Sequence, residues 1–157
     1  MANVRNFVVV LFALTASASE AFATERDAEK LRLVARAYLH VTDVTSVFQQ
    51  SRCGRFFSKS TESLAQVMDE LSQNMKPDDF RELQAFLKSE QFAKTHQENQ
   101  KFLDSWYGSF AGPEYDEQTT CEMIASGVAK MHDYAKEKWD YERRTYAGIK
   151  PESASAQ

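Results

Sequence analysis

Glycine and proline are scarce in this chain of 157 residues, five and three respectively. An all-β fold rich in tight turns needs those residues, so their shortage argues against one. Cysteine is almost missing: Cys53 and Cys121 are the only two. They form no Cys-x-x-Cys pair, which excludes a thioredoxin-type redox centre, and no Cys-x-x-Cys-His offers ordinary covalent haem attachment. The three histidines, His40, His96 and His132, each follow an alanine three positions earlier, Ala37, Ala93 and Ala129. The Glu-x-x-His pattern of helical di-metal bundles is therefore missing. So are a Gly-rich phosphate loop, a Gly-x-Ser-x-Gly elbow and a His-Glu-x-x-His motif. Lysine and arginine number 19 against 23 acidic residues, a formal net charge of −4, and no basic stripe offsets it. That balance opposes nucleic-acid binding.

What is present begins at the first residues. Arg5 is followed by the apolar run Phe7-Val-Val-Val-Leu-Phe-Ala-Leu-Thr-Ala16, and small residues close it. A positive start, about ten apolar residues and a small-residue end form an export-signal pattern. The run is too short to span a bilayer, which takes about 20 apolar residues. Ala21-Phe22-Ala23 and Ala16-Ser17-Ala18 both offer small residues at the cleavage positions. The first is preferred, because Thr24-Glu25-Arg26-Asp27 opens a polar, helix-favouring segment. The expectation is a signal peptide over residues 1–23, cleaved near Ala23, and a destination in the periplasm or outside the cell. No stable membrane span is expected in the mature chain. Residues 24–150 read as a single helical domain and residues 151–157, Pro-Glu-Ser-Ala-Ser-Ala-Gln, as a disordered tail.

Glu, Lys, Gln, Ala and Leu dominate the remainder, and all are helix formers. From about Glu25 to Phe48 or slightly beyond, Leu31, Val34, Tyr38, Val41, Thr45 and Phe48 make one stripe at helical spacing. Gly54 is expected to end that helix in the left-handed conformation. Ser58, Ser60 and Thr61 are candidate N-caps for a second helix, whose apolar face is Leu64, Val67, Met68, Leu71 and Met75. Lys76-Pro77-Asp78-Asp79 starts another, with proline in its first turn and two carboxylates at its positive end. Its stripe, Phe80, Leu83 and Leu87, differs in azimuth from the following one, His96, Asn99, Leu103, Trp106 and Phe110. Either a kink or two helices over residues 77–110 satisfies that difference. Gly108, Gly112 and Pro113 make the next break. A last helix from about Asp116 to Tyr146 carries Cys121, Ile124, Val128, Met131, Ala135 and Trp139, with Ala125 and His132 beside them. The expected fold is all-α: a four- or five-helix bundle, largely antiparallel, closed by one disulfide.

The disulfide is Cys53–Cys121. Two cysteines in an exported chain are most simply partners. Cys53 falls just past the first long helix and Cys121 in the opening turns of the last. If those helices are antiparallel neighbours, both sulfurs stand at one end of the bundle. Phe56 and Phe57 then cap the core beside them.

The same register bears on the histidines. His40 lies 13 residues before Cys53 and His132 lies 11 after Cys121, heights of about 20 and 17 Å. Met131 adjoins His132, a pairing able to hold haem, but His40 points about 130° away from its own stripe. No cofactor and no metal are therefore expected, with His132 the residue to test first for either. His96 and His132 read instead as boundary histidines hydrogen-bonded within the bundle. The pairs Asp69-Glu70, Asp78-Asp79 and Asp116-Glu117 read as solvated faces and helix starts, because neighbours on a helix diverge by about 100°. No catalytic residue is assigned. Trp106, Phe110 and Trp139 belong to the core, whereas Tyr107, Tyr115, Tyr134 and Tyr141 are left over as a contact surface, a use that suits tyrosine. The expected role is a small exported helical protein that binds another protein, as an envelope accessory or chaperone-like factor. The alternatives are an exported hydrolase with a dispersed site, built for example on His132 and a carboxylate, or a helical carrier of a ligand or cofactor.

Overall fold

The computed structural model describes residues 4–149, with side-chain surroundings from residue 25 to residue 146. Of the expected signal peptide, residues 1–23, the backbone is described from Val4 on, where it forms the start of the first helix; the expected tail, residues 151–157, lies outside the described residues. Five helices follow in order: α1 Val4–Gln50, α2 Leu64–Asn74, α3 Pro77–Leu87, α4 Glu90–Phe110 and α5 Glu117–Ile149. Among the described residues there is no strand, only an isolated bridge between Gly112 and Tyr115 in the α4–α5 turn. No described helix is long and apolar enough to cross a membrane.

α1 and α5 form the spine. They run antiparallel, because Lys30 Nζ meets Glu142 Oε1 at 3.0 Å near one end and Cys53 bonds Cys121 at the other. α4 runs parallel to α1: Asp43 pairs with His96, and further along both helices the Arg52 guanidinium lies over the Tyr107 ring. α3 continues the same direction beside the earlier part of α1, where Arg32 meets Asp79 and Arg36 covers Phe86. α2 runs against α1 and alongside the later part of α5.

This arrangement makes two apolar clusters along the spine. The first joins Leu31, Ala35, Tyr38 and Leu39 to Val67, Leu71, Leu83 and Trp139. The second joins Val44, Val47 and Phe48 to Leu103, Ile124 and Val128, around the disulfide. Phe56 and Phe57 pack against this second cluster, as do Trp106 and Phe110. Burying one large apolar side chain stabilises by about 1.5–3 kcal/mol, so the stripes set the packing.

Four boundaries differ from expectation. α1 begins at Val4 and not near Glu25, running unbroken through the expected cleavage site. α1 stops at Gln50, and Gly54 opens a short 3-10 turn, Gly54–Phe56, with an ordinary negative φ. Glycine is needed there because a Cβ would collide with the Gln49 carbonyl, not for a left-handed backbone. α2 is capped by Ser63, not by Ser58, Ser60 or Thr61. Its hydroxyl accepts from the Gln66 amide while Gln66 Oε1 accepts from the Ser63 amide, a complete capping box. The segment 77–110 is two helices, with Ser89 capping the second: its hydroxyl accepts from the Phe92 amide at 3.2 Å.

Candidate functional site

Between the two apolar clusters the interior turns polar. Thr42, Asp43, Thr45, Asn99 and His132 are all buried there. The threonine hydroxyls return to their own helix, Thr42 to the Tyr38 carbonyl and Thr45 to the Val41 carbonyl. The other three side chains build two separate histidine sites.

On the α1–α4 side, Asp43 Oδ1 lies 2.8 Å from Nδ1 of His96, and Asn99 Nδ2 donates to Asp43 Oδ2 at 2.7 Å. His96 and Asn99 are one turn apart on α4, so both reach the same carboxylate. An ionised Asp43 only accepts, which places the proton on Nδ1 and leaves Nε2 as the free acceptor. The Asp43 side chain is 7% exposed and that of His96 41%, so the pair has a buried anchor and a reachable ring. His96 lines a groove of about 330 Å³ floored by Val47 and Leu103 and edged by Gln50, Ser51, Gln100 and Asp104. Ser51 is not an aligned nucleophile. It stands eight residues beyond Asp43, just past the end of α1 and about 12 Å further along its axis. Its hydroxyl is engaged with the Phe48 carbonyl and the Cys53 amide.

The second site surrounds His132 on α5. The ring is 1% exposed, and neither nitrogen has a hydrogen-bond partner. Nε2 comes to 3.4 Å from Glu62 Oε2, and the Tyr38 ring lies edge-on with centroids 6.0 Å apart. Lys136 bridges outward, 2.9 Å from Glu62 and 3.7 Å from Glu70. Glu70 also accepts from Trp139 Nε1 at 3.0 Å and approaches Arg143 at 3.5 Å. Burial pushes the His132 imidazole below its usual range, although Glu62 pulls partly the other way. Burial also pushes the Tyr38 phenol up to about 12. For Glu62 burial acts to raise the carboxyl, but the bond to Lys136, a backbone hydrogen bond and the charges of Lys136 and His132 together outweigh it and hold the group below the usual carboxylate range. Burial likewise opposes the Lys136 charge, and Glu62, Tyr38 and Glu70 together hold its ammonium above the usual range. Water and substrate do not reach this histidine, so it is a structural group.

These sites revise the sequence reading. His96 is hydrogen-bonded as expected. His132 is not a hydrogen-bonded boundary residue but a fully enclosed ring, and a hydrolase site built on it is sterically closed. Glu70 is not on a solvated face, since it ties α2 to Trp139 and Arg143. Asp43 was missed. Its signal is an acidic residue in the buried Leu39–Asp43–Val47 row, facing a polar His96–Asn99 step in the stripe of α4. Asp116 does start a helix: Oδ1 accepts from the Thr119 amide at 2.7 Å, and that bond lowers its carboxyl pKa.

His40 is exposed, as its azimuth requires, and it shares a hollow of about 300 Å³ with Met131, Val41, Val44 and Phe102. No cluster of three or more His, Cys, Asp or Glu able to hold a metal occurs among the described residues. Cys53 and Cys121 are bonded, with Cα atoms 5.0 Å apart.

The four tyrosines do not make one surface. Tyr107 is half-buried, with the Arg52 guanidinium 5.0 Å from its ring centroid. Tyr115 is exposed in the α4–α5 turn, 19 residues and about 28 Å of helix from Tyr134. Tyr134 and Tyr141 do share a face of α5. They are 69% and 55% exposed, and with Glu137 and Lys138 they edge a shallow hollow of about 240 Å³. The chain matches no family model, no curated protein and no solved structure.

Proposed function

We propose that this chain is a small exported helical protein that acts by binding another protein, as an envelope accessory or chaperone-like factor. The observation that carries this reading is the pair Tyr134 and Tyr141. Both project from α5 directly behind the buried row Ala135, Trp139 and Glu142, so a well-anchored helix holds two large aromatic rings in solvent. Rigid, exposed tyrosines supply contact area at low entropic cost. Support for export comes from the signal pattern in residues 1–23 and from the Cys53–Cys121 bond, which suits an oxidising compartment.

The test is affinity capture from the envelope with the wild type and with Tyr134→Ala/Tyr141→Ala, both checked for native helicity. A protein enriched by the wild type and lost from the variant is the expected result. Equal enrichment by both, or none above a tagged control, overturns the reading.

The Asp43–His96 pair favours hydrolysis as a second reading, with His96 Nε2 as the base that activates water in the Gln50–Gln100 groove. Hydrolysis of p-nitrophenyl acetate by the wild type should then exceed that by His96→Gln at least tenfold. Equal rates sink this reading.

A further inference from the structure

We propose that residues 57–63, which join the short 3-10 turn to α2, form an acid-opened strap that lifts from α5 when His132 takes up a proton. This device goes beyond the binding role proposed above and does not depend on it. Phe57 donates to the Gly54 carbonyl and the Ser63 carbonyl accepts from Val67, but between them no backbone–backbone hydrogen bond holds the chain. Three side-chain contacts fasten it instead. Lys59 pairs with Asp133, Glu62 meets Lys136 at 2.9 Å, and Gln49 Nε2 donates to Thr61 Oγ1 at 3.3 Å.

Two of those contacts end on α5 beside His132, at the adjoining Asp133 and one turn on at Lys136, and Glu62 itself stands 3.4 Å from the ring. Next to them the strap stands off the helix. A hollow of about 240 Å³ separates Phe56, Phe57 and Lys59 from Ala125, Ser126 and Ala129. The side chains of Lys59, Glu62 and Lys136 are each about a third exposed and that of Asp133 is 62% exposed. Ion pairs so wetted add little to stability. A fully buried histidine is thus covered on this side by a loosely fastened segment.

The closed form gives an imidazolium no place. Neither ring nitrogen has a hydrogen-bond partner, and the nearest carboxylate, Glu62, is already held by Lys136. The groups facing the ring are Tyr38 from α1, Glu62 and Lys59 from the strap, Asp133 and Lys136 from α5 and, through Lys136, Glu70 from α2. Lys59 with Asp133 and Lys136 with Glu62 already neutralise one another, so a proton on His132 is a surplus charge in a dry site. Lifting the strap removes Lys59 and Glu62 together and admits water to the ring, while the disulfide and the α1–α5 spine stay in place. The burial that pushes the His132 imidazole down acts in the same direction. The open form titrates near the ordinary 6.5 and the closed form lower, so opening grows as pH falls through 6.5. Glu62 stays ionised over that range, because its carboxyl is held below its usual 4.5.

Cleavage by a glutamyl endopeptidase after Glu62 tests this on the full chain with its disulfide intact, at pH 7.5 and 5.5. Each rate is divided by that of an unstructured peptide carrying residues 57–68, which removes the protease's own pH dependence. The cut chain stays joined through Cys53–Cys121, and its two pieces separate only on reduction. The wild-type rate should rise about tenfold from pH 7.5 to 5.5, the gain one histidine of ordinary pKa supplies to the open form. At pH 5.5 it should run at least tenfold ahead of cleavage after Glu82 in α3, which reads unfolding of the whole bundle. His132→Gln and His132→Phe should each hold the rise below twofold. A wild-type rate that does not rise, equal rates at Glu62 and Glu82, or the same tenfold rise in a folded His132 variant overturns the inference. The first two arms use the wild type alone and decide the matter even where a variant fails to fold.

Discussion

Asp43 on α1 and His96 on α4 are joined at 2.8 Å across a helix boundary, with Asn99 closing the second carboxylate oxygen at 2.7 Å. The pair fixes the register of two parallel helices at the level where both apolar clusters are interrupted. Asp43→Ala strips Asn99 and His96 of their acceptor, and an unsatisfied buried donor costs about 1–3 kcal/mol. The expected loss is about 2–3 kcal/mol in urea unfolding. Asn99→Ala should cost less, because His96 still holds the carboxylate. A double-mutant cycle giving no coupling between positions 43 and 96 would show that the contact does not contribute to stability.

The Cys53–Cys121 bond closes a loop with a sequence separation of 68. In the chain-entropy account such a loop is worth about 4 kcal/mol. Cys53→Ser/Cys121→Ser should therefore unfold about 15 °C lower than the oxidised protein, at about 4 °C per kcal/mol for a domain of this size. Thiol counting on the denatured, unreduced protein should find none. Two reactive thiols would contradict the bond.

The stripes and the crosslink were legible because each is a local rule repeated. Leu31, Tyr38 and Phe48, or Ile124, Val128 and Trp139, mark a face by spacing alone, and the two cysteines had no other partner to choose. The break at Ser89 was visible only as a disagreement between two azimuths. Its cause is a serine hydroxyl whose role is indistinguishable in sequence from any other serine. Ser63 was overlooked although Ser63-x-x-Gln66 is the capping-box spacing, because Ser58, Ser60 and Thr61 competed for the same role. Asp43 was illegible for a different reason: its partners lie 53 and 56 residues away, and no short window contains both halves. The orphaned His132 ring is likewise a product of packing, set by Tyr38 from α1 and Glu62 from the segment before α2.

Acid should weaken the fold in two stages. Burial depresses the His132 pKa below its usual 6.5, so the unfolded chain takes up a proton that the folded one refuses. Stability then falls as pH drops below about 6.5. Glu62 has a depressed carboxyl pKa, so its contribution is present above its usual 4.5 and is lost as pH falls further. His132→Phe should flatten the melting-temperature profile between about pH 6.5 and 5 while leaving the steeper loss below 4.5. An unchanged profile in that variant would remove His132 from the explanation.

The alkaline limb has a separate origin. The Tyr38 phenol is buried and titrates only at about 12, above its usual 10.0. The unfolded chain therefore releases that proton earlier than the folded one, and stability falls as pH rises past about 10. Ultraviolet titration should resolve one late tyrosinate among the six tyrosines, and Tyr38→Phe should remove it.

Three glycines separate close packing from helix propensity. At Gly54 a Cβ would strike the Gln49 carbonyl, which is backbone and cannot move aside without disturbing the turn that presents Cys53. At Gly127 it would strike the Trp106 ring, which fills the α4–α5 contact of the second cluster. At Gly108, inside α4, nothing lies within 4 Å. Alanine is the better helix former by about 0.5–1 kcal/mol, so Gly108→Ala should stabilise by about that amount. Gly127→Ala should destabilise by about 1–3 kcal/mol through overpacking, and Gly54→Ala by at least as much. Urea midpoints for the three variants check the order. A stabilised Gly127→Ala would mean that Trp106 does not rest against α5, and the α4–α5 packing would have to be redrawn.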